Sequence, residues 1–243
     1  MAVHAPYERI FPGAENAVIF IHGIVSTPRF WDEYIAAIPE DWSVVNLLLP
    51  GHGGSVTDFG RAKRGAWRRH VQETIGRLKA THARVFLVGH SMGGLLSILE
   101  AVDAPDGIAG LMLMAPALRI RVKPSALWHN TLKGLGLAES REELARYYSV
   151  IPDWRFWRYI GWIPRYLELF SLSRQARHAL PRLAIPTRAF IHAGDELVSP
   201  KIGPLLSANP CVTLQTLPDS MHHSIAPTDA ETLRAALRDM CQS

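Results

Sequence analysis

The pentapeptide Gly89-His90-Ser91-Met92-Gly93 constrains this chain more than any other stretch of it. The apolar run RVFLVG (84–89) leads into it, and GLLSILEAV follows it directly. The first has the β-branched and aromatic make-up of a short buried strand, and the second reads as an apolar helix. A G-x-S-x-G sequence at such a junction predicts a tight strand-to-helix turn, with glycines where a Cβ would meet neighbouring chain. The turn lifts the Ser91 hydroxyl above the sheet edge. It also sets Ser91 at a helix N-terminus, where free N–H groups favour negative charge.

Five more runs read as strands: 17–21, 43–49, 110–115, 187–194 and 212–217. Helix patterns fall between them, at 28–38, 65–81, 92–103, 200–208 and 228–241, and Thr228 with Glu231 has the spacing of a capping box. Strands alternating with helices predict right-handed crossovers and a mostly parallel sheet flanked by helices on both faces. The alternation breaks once, over 117–186, between the fourth and fifth predicted strands. A crossover needs far fewer residues. This stretch holds four of the seven tryptophans and twelve Lys/Arg against five Asp/Glu. We read it as a helical cap inserted at the carboxyl edge of the strands, where open α/β sheets bind ligands. Residues 1–116 and 187–243 then form the α/β core. An ordinary packing layer with its aromatics inward is the alternative.

A serine hydroxyl is a weak nucleophile until a base takes its proton. In this topology the acid and then the histidine follow in chain order. Asp195 is the first carboxylate after the fifth strand; its neighbour Glu196 reads as a solvated loop residue. Two adjacent histidines, His222 and His223, follow the sixth strand, and only one of two neighbours can bridge Ser91 and Asp195. His22, His52 and His90 belong to glycine-rich motifs and read as structural or pocket-lining. His4, His70, His82, His129, His178 and His192 lack the context of a base. Acyl transfer also needs two preorganised N–H donors for the oxyanion. The backbone amides of Met92, after the serine, and of Ile24, after His22-Gly23, are the candidates.

The net charge of +4 comes without any nucleic-acid-binding motif, so no nucleic-acid partner is expected. The two cysteines, Cys211 and Cys241, have no metal-ligand spacing. No metal and no organic cofactor is implied. Sparse cysteines fit a reducing, cytoplasmic setting, with one disulfide as the alternative. No apolar stretch approaches 18 residues and the start lacks an apolar core, so neither a transmembrane segment nor a signal peptide is expected. No feature of the sequence specifies an oligomeric state.

Four motifs together carry a resemblance. They are His22-Gly23-Ile24 with Ser26-Thr27-Pro28, Leu49-Pro50-Gly51-His52-Gly53, the serine pentapeptide with Gly94, and Asp195-Glu196-Leu197-Val198-Ser199-Pro200. With them the chain resembles the α/β-hydrolase superfamily over nearly its whole length. More narrowly, it is similar to small bacterial carboxylesterases and monoacylglycerol lipases. The resemblance implies an α/β-hydrolase fold with a helical cap after the fourth predicted strand, and a Ser-His-Asp triad working through an acyl-enzyme. The Ser-x-His pattern of that group matches Ser220-Met221-His222 and favours His222 as the base. His223 stands where the pattern has an apolar residue, and it is the alternative base. An aromatic is common at the position of Ile24, where only the backbone N–H is used.

The expected activity is serine-dependent hydrolysis of a small-molecule acyl ester, such as a monoacylglycerol. The alternatives are a thioesterase or acyltransferase with the same triad, and a non-catalytic binding protein on this fold. Dehalogenase and epoxide-hydrolase chemistry would want an acidic nucleophile where Ser91 stands. The aromatic cap would cover an acyl chain. Its arginines either favour an anionic substrate or transient contact with a lipid interface, or form a solvated helix face.

Overall fold

The computed structural model describes residues 4–121, 148–150 and 155–242. In chain order its elements are β1 (Tyr7–Arg9), β2 (Asn16–Ile21), α1 (Asp32–Ile35), β3 (Ser43–Asn46), α2 (Val56–Arg61), α3 (Arg64–Lys79), β4 (Arg84–His90), α4 (Met92–Asp103), β5 (Ile108–Met114), α5 (Trp162–Ala179), β6 (Thr187–His192), α6 (Gly203–Ser207), β7 (Val212–Leu217) and α7 (Pro227–Gln242). The strands make one sheet in the order β1-β3-β2-β4-β5-β6-β7. All neighbours are parallel except β1, which runs antiparallel to β3.

The central strands are nearly continuous apolar runs. A strand points alternate side chains to opposite faces, so such a run must be covered on both. Ile19, Leu87, Leu113 and Ile191 enter one core with Trp67 of α3, Leu95 of α4 and Leu172 of α5. Val18, Phe86, Met112 and Phe190 enter the other, against Tyr34 of α1, Trp42, and Leu233 and Leu237 of α7. The chain order reverses at β2, which pairs with β3 on one side and β4 on the other. At that reversal the loops leaving adjacent strands diverge and open a crevice at the carboxyl edge.

Several boundaries differ from expectation for physical reasons. β3 ends at Asn46, although the apolar run continues to Leu49. The Leu47 amide still reaches Phe20 O, but the Leu49 amide donates to His22 Nε2, so the chain leaves the ladder while staying buried. α2 is a short helix capped by Ser55 and Asp58, each bonding the other's backbone N–H. α7 begins at Pro227, where a proline loses no helical bond. Thr228 therefore lies inside that helix, and Glu231 pairs with Arg234 and Arg238 instead of capping it.

Of the insertion expected over 117–186, residues 122–147 and 151–154, with Trp128 and Trp154, lie outside the described residues. In the described part α5 packs along α4, and a 3-10 turn at Phe156–Gly161 sits on α2. The Trp162 indole donates to Val56 O at 2.9 Å. Among the described residues no helix is long and apolar enough to cross a membrane.

Two buried histidines tie the carboxyl-edge loops of β2 and β3 together. His22 Nε2 accepts the Leu49 amide at 3.0 Å, so its Nδ1 carries the proton that goes to Gly23 O at 2.8 Å. His52 Nε2 accepts the Val25 amide at 3.0 Å, and its Nδ1 faces Leu49 O at 3.2 Å. An accepting ring nitrogen cannot hold a proton, so both rings are neutral in the fold. Burial lowers His52 to about 4, and burial with the neighbouring His52 lowers His22 well below 6.5. Burial lowers His90 as well, and takes His192 to about 4.

Two predictions follow from the packing and the buried rings. A Cβ on Gly76, on the exposed side of α3, would meet nothing within 4 Å, whereas one on Gly93 would sit 2.0 Å from Ile21 O. In urea melts Gly76→Ala should therefore raise stability by about 0.5–1 kcal/mol, and Gly93→Ala should lower it by about 3 kcal/mol or more. The buried histidines bind protons in the unfolded chain from about pH 6.5 but in the folded chain only near the lowered values. Their contribution is complete above pH 6.5 and is lost as the pH falls towards 4, at up to about 1.4 kcal/mol per unit for each ring. Urea midpoints should drop steeply over that window; a flat profile would contradict neutral buried rings.

Candidate active site

The turn between β4 and α4 is built by close approach. A Cβ on Gly93 would strike the Ile21 carbonyl of β2, and one on Gly89 would lie 2.6 Å from the Gly93 backbone. Helix and strand can come this close only without side chains at these points. Ser91, between them, has φ 54° and ψ −113°, a region L-residues rarely adopt. The conformation is held from both sides. The Ser91 amide donates to Met114 O at 2.9 Å, and its carbonyl accepts the Ala117 amide at 3.1 Å. The hydroxyl is thus fixed at the β2/β4 reversal, and the residue is 4% exposed.

His222 reaches it from the loop after β7. Its Nε2 lies 3.0 Å from Ser91 Oγ, and its Nδ1 lies 2.8 Å from Asp195 Oδ2. With the Nδ1 proton donated to the carboxylate, Nε2 is left to accept the serine proton. The other oxygen of Asp195 accepts the Leu197 and Val198 amides at 2.8 and 2.7 Å. Burial pushes the Asp195 carboxyl up, but the His222 ring and these two amides outweigh it and hold it below its ordinary value. His223 does not lie on this path. Its ring meets His222 edge-on at 4.7 Å, and lies 5.3 Å from His90 and 5.6 Å from Tyr148.

Glu196, His192 and His90, the last expected to be structural or pocket-lining, hold the backbone of the His222 loop. Glu196 Oε2 accepts the His222 amide at 3.1 Å. His90 Nε2 donates to the His222 carbonyl at 3.0 Å, with its ring stacked on Phe30 at 4.4 Å. His192 Nδ1 donates to the Met221 carbonyl at 2.8 Å. Ser220 secures the start of the same loop, donating to Asp229 Oδ2 at 2.7 Å and accepting the Ala226 amide at 3.1 Å. His222 is therefore gripped on its backbone N–H, on its C=O and one residue upstream. Side chains acting on backbone atoms leave no spacing pattern, so only the Ser-x-His motif was visible beforehand.

Gly23 packs directly on the serine; a Cβ there would lie 3.0 Å from Ser91 Cβ and 3.3 Å from His90 Nδ1. Ile24 follows, and then Val25 at φ 58°, costly for a β-branched residue. His52 holds the Val25 amide, and the Val25 carbonyl accepts the Ser149 amide at 3.0 Å. Met92 is the first residue of α4. Among the described residues, neither the Ile24 nor the Met92 amide donates to another group of the chain. Two unspent N–H donors thus flank the serine. Among the described residues no cluster of three His, Cys, Asp or Glu could hold a metal ion, and Cys211 and Cys241 are free thiols.

Comparison with known proteins agrees with this geometry at the level of the fold. A thermostable monoacylglycerol lipase of Bacillus sp. (strain H-257) is 29% identical over 198 residues, which cover 77% of this chain and 74% of the lipase. A solved structure from work on LipS and LipT, two metagenome-derived lipolytic enzymes, superposes with a TM-score of 0.75 at 22% identity, covering 100% of this chain and 98% of that one. The monoacylglycerol lipase of Paleococcus ferrophilus gives 0.68 at 20% identity, over 98% of this chain and 99% of that one. The family model described as alpha/beta hydrolase matches residues 18–236, nearly the whole length. The chain belongs to the alpha/beta hydrolase family.

Proposed function

We propose that the protein is a serine-dependent carboxylic ester hydrolase in which Ser91 is the nucleophile, His222 the base and Asp195 the acid. One observation carries this reading: the unbroken path from Ser91 Oγ to His222 Nε2 at 3.0 Å and from His222 Nδ1 to Asp195 Oδ2 at 2.8 Å. Ser91 Oγ attacks the ester carbonyl as its proton passes to His222 Nε2. Asp195 keeps the tautomer and stabilises the imidazolium. The carbonyl oxygen, now negative, faces the Ile24 and Met92 amides, whose free N–H groups need no rearrangement to receive it. The imidazolium then protonates the leaving alcohol and an acyl-enzyme remains. Water, deprotonated by His222, attacks that ester, and Ser91 Oγ regains its proton as the carboxylic acid departs.

The likeness to monoacylglycerol lipases supports an acyl ester of that kind as substrate. The insertion over 117–186 is proposed as the cap that covers the acyl chain, with 1–116 and 187–243 as the core. Product analysis with and without an added acceptor alcohol separates hydrolysis from acyl transfer.

Turnover of short p-nitrophenyl esters tests the assignment. Ser91→Ala and His222→Ala should each lower kcat by at least about a thousand-fold, while His223→Ala keeps most of it. Collapse of His223→Ala with survival of His222→Ala would reverse the roles of the two neighbours. Glu196 acts through His222 and not on substrate. Glu196→Ala should lower kcat about ten-fold with KM little changed. Glu196→Gln, which keeps an accepting oxygen for the His222 amide, should restore most of the loss.

A further inference from the structure

The two sides of α5 have opposite characters. Leu169, Leu172, Ala176 and Ala179 are buried in the core. Its one acid, Glu168, is turned towards α3, where it accepts the Arg64 amide at 2.9 Å and pairs with Arg165 at 3.3 Å. The other side presents Leu167, Phe170, Arg174 and Arg177, three to four residues apart and so on one face. That face helps to line a groove of about 830 Å³, together with Arg119, Ile120, Lys201 and Leu205.

The lining is unusual in its charge. Four cations, Arg119, Arg174, Arg177 and Lys201, meet at the groove, and among the described residues no carboxylate lines it. Among the described residues Arg119, Arg174 and Lys201 make no ion pair. Arg177 is anchored differently, on the Leu118 carbonyl and Ser173 Oγ. Gathered like charges repel one another, and a bound anion would relieve that. Beside them Leu167 is 63% exposed and Phe170 is 51% exposed. A solvated helix face would be mixed in sign and uncovered; this one lines a groove, and along α5 its apolar pair Leu167 and Phe170 precedes its cationic pair Arg174 and Arg177.

We propose that the groove binds one single-chain anionic amphiphile, its carboxylate or phosphate head among Arg119, Arg174 and Lys201 and its chain along Leu167 and Phe170. The site is separate from Ser91 and stands whether or not the ester-hydrolase reading holds. It does touch the acid loop: Ile120 bridges to Val198, whose amide donates to Asp195 Oδ1.

Titration calorimetry of the full chain carrying Ser91→Ala, with ligands below their micelle concentrations, tests this. Decyl phosphate and decanoate should bind one per chain, and decanol and inorganic phosphate at least ten-fold more weakly. The triple variant R119Q/R174Q/K201Q should lose ten-fold or more for decyl phosphate with an unchanged thermal melt. The single K201Q should give a smaller loss and serves if the triple does not fold. Phe170→Ser should weaken decyl phosphate and leave inorganic phosphate unaltered. Undiminished binding by the charge variants would overturn the proposal. So would decanol matching decyl phosphate, inorganic phosphate matching it, or binding seen only to vesicles containing anionic lipid.

Discussion

The approach of α4 to the end of β2 governs the rest of the site. With no side chain at Gly93, the helix start lies against the Ile21 carbonyl, and the chain between Gly89 and Gly93 has one way to pass. That way leaves Ser91 at positive φ, a cost of roughly 1–3 kcal/mol that persists only where surrounding bonds over-determine it. Here they are the bonds to Met114, at the end of β5, and to Ala117, in the loop after it. The same approach brings Gly23, the residue before Ile24, against the serine. The positions of Ser91 and of the proposed oxyanion donors, the Ile24 and Met92 amides, are thus tied to one packing contact.

The base is fixed by a different means. A loop after an edge strand has little packing to hold it, and β7 is the last strand of the sheet. Side chains from β4, β6 and the acid loop substitute for that packing by bonding its backbone. His90 and His192 do this from buried positions where only the neutral ring is tolerated. The arrangement links catalytic geometry to the same acid-sensitive groups that limit stability below pH 6.5. Of the eleven histidines, at least four besides the proposed base, His22, His52, His90 and His192, are built into the edge of the sheet.

What the sequence made legible was whatever depends on apolar periodicity. β2, β4, β5, β6, α3 and α4 stand close to where their patterns put them, because each is buried on both faces or along a clear stripe; β7 keeps its expected 212–217 although Thr213, Gln215 and Thr216 are exposed. β1 is three residues long and polar, and only pairing with β3 makes it a strand. α2 was missed although Ser55 and Asp58 carry a readable capping box. Ser91, Asp195 and the pair His222 and His223 were readable from chain order after strands. Chain order does not separate the two histidines, since adjacent residues differ only in direction; the Ser-x-His pattern favours His222, and His222 is the one that faces the serine. His90 has the structural place its glycine-rich motif suggests, whereas the contacts of Glu196 and His192 are with backbone atoms, which sequence spacing does not encode.

In the proposed mechanism Ser91, held in a strained turn, is activated by His222 and not by its neighbour His223. Labelling the intact protein with a fluorophosphonate, followed by mass spectrometry of its peptides, tests it most directly. A phosphonyl adduct should form on Ser91 with loss of fluoride. It should persist in His223→Ala and fail to form at a comparable rate in His222→Ala. An adduct on another residue, or equal labelling in the His222→Ala variant, would contradict the account.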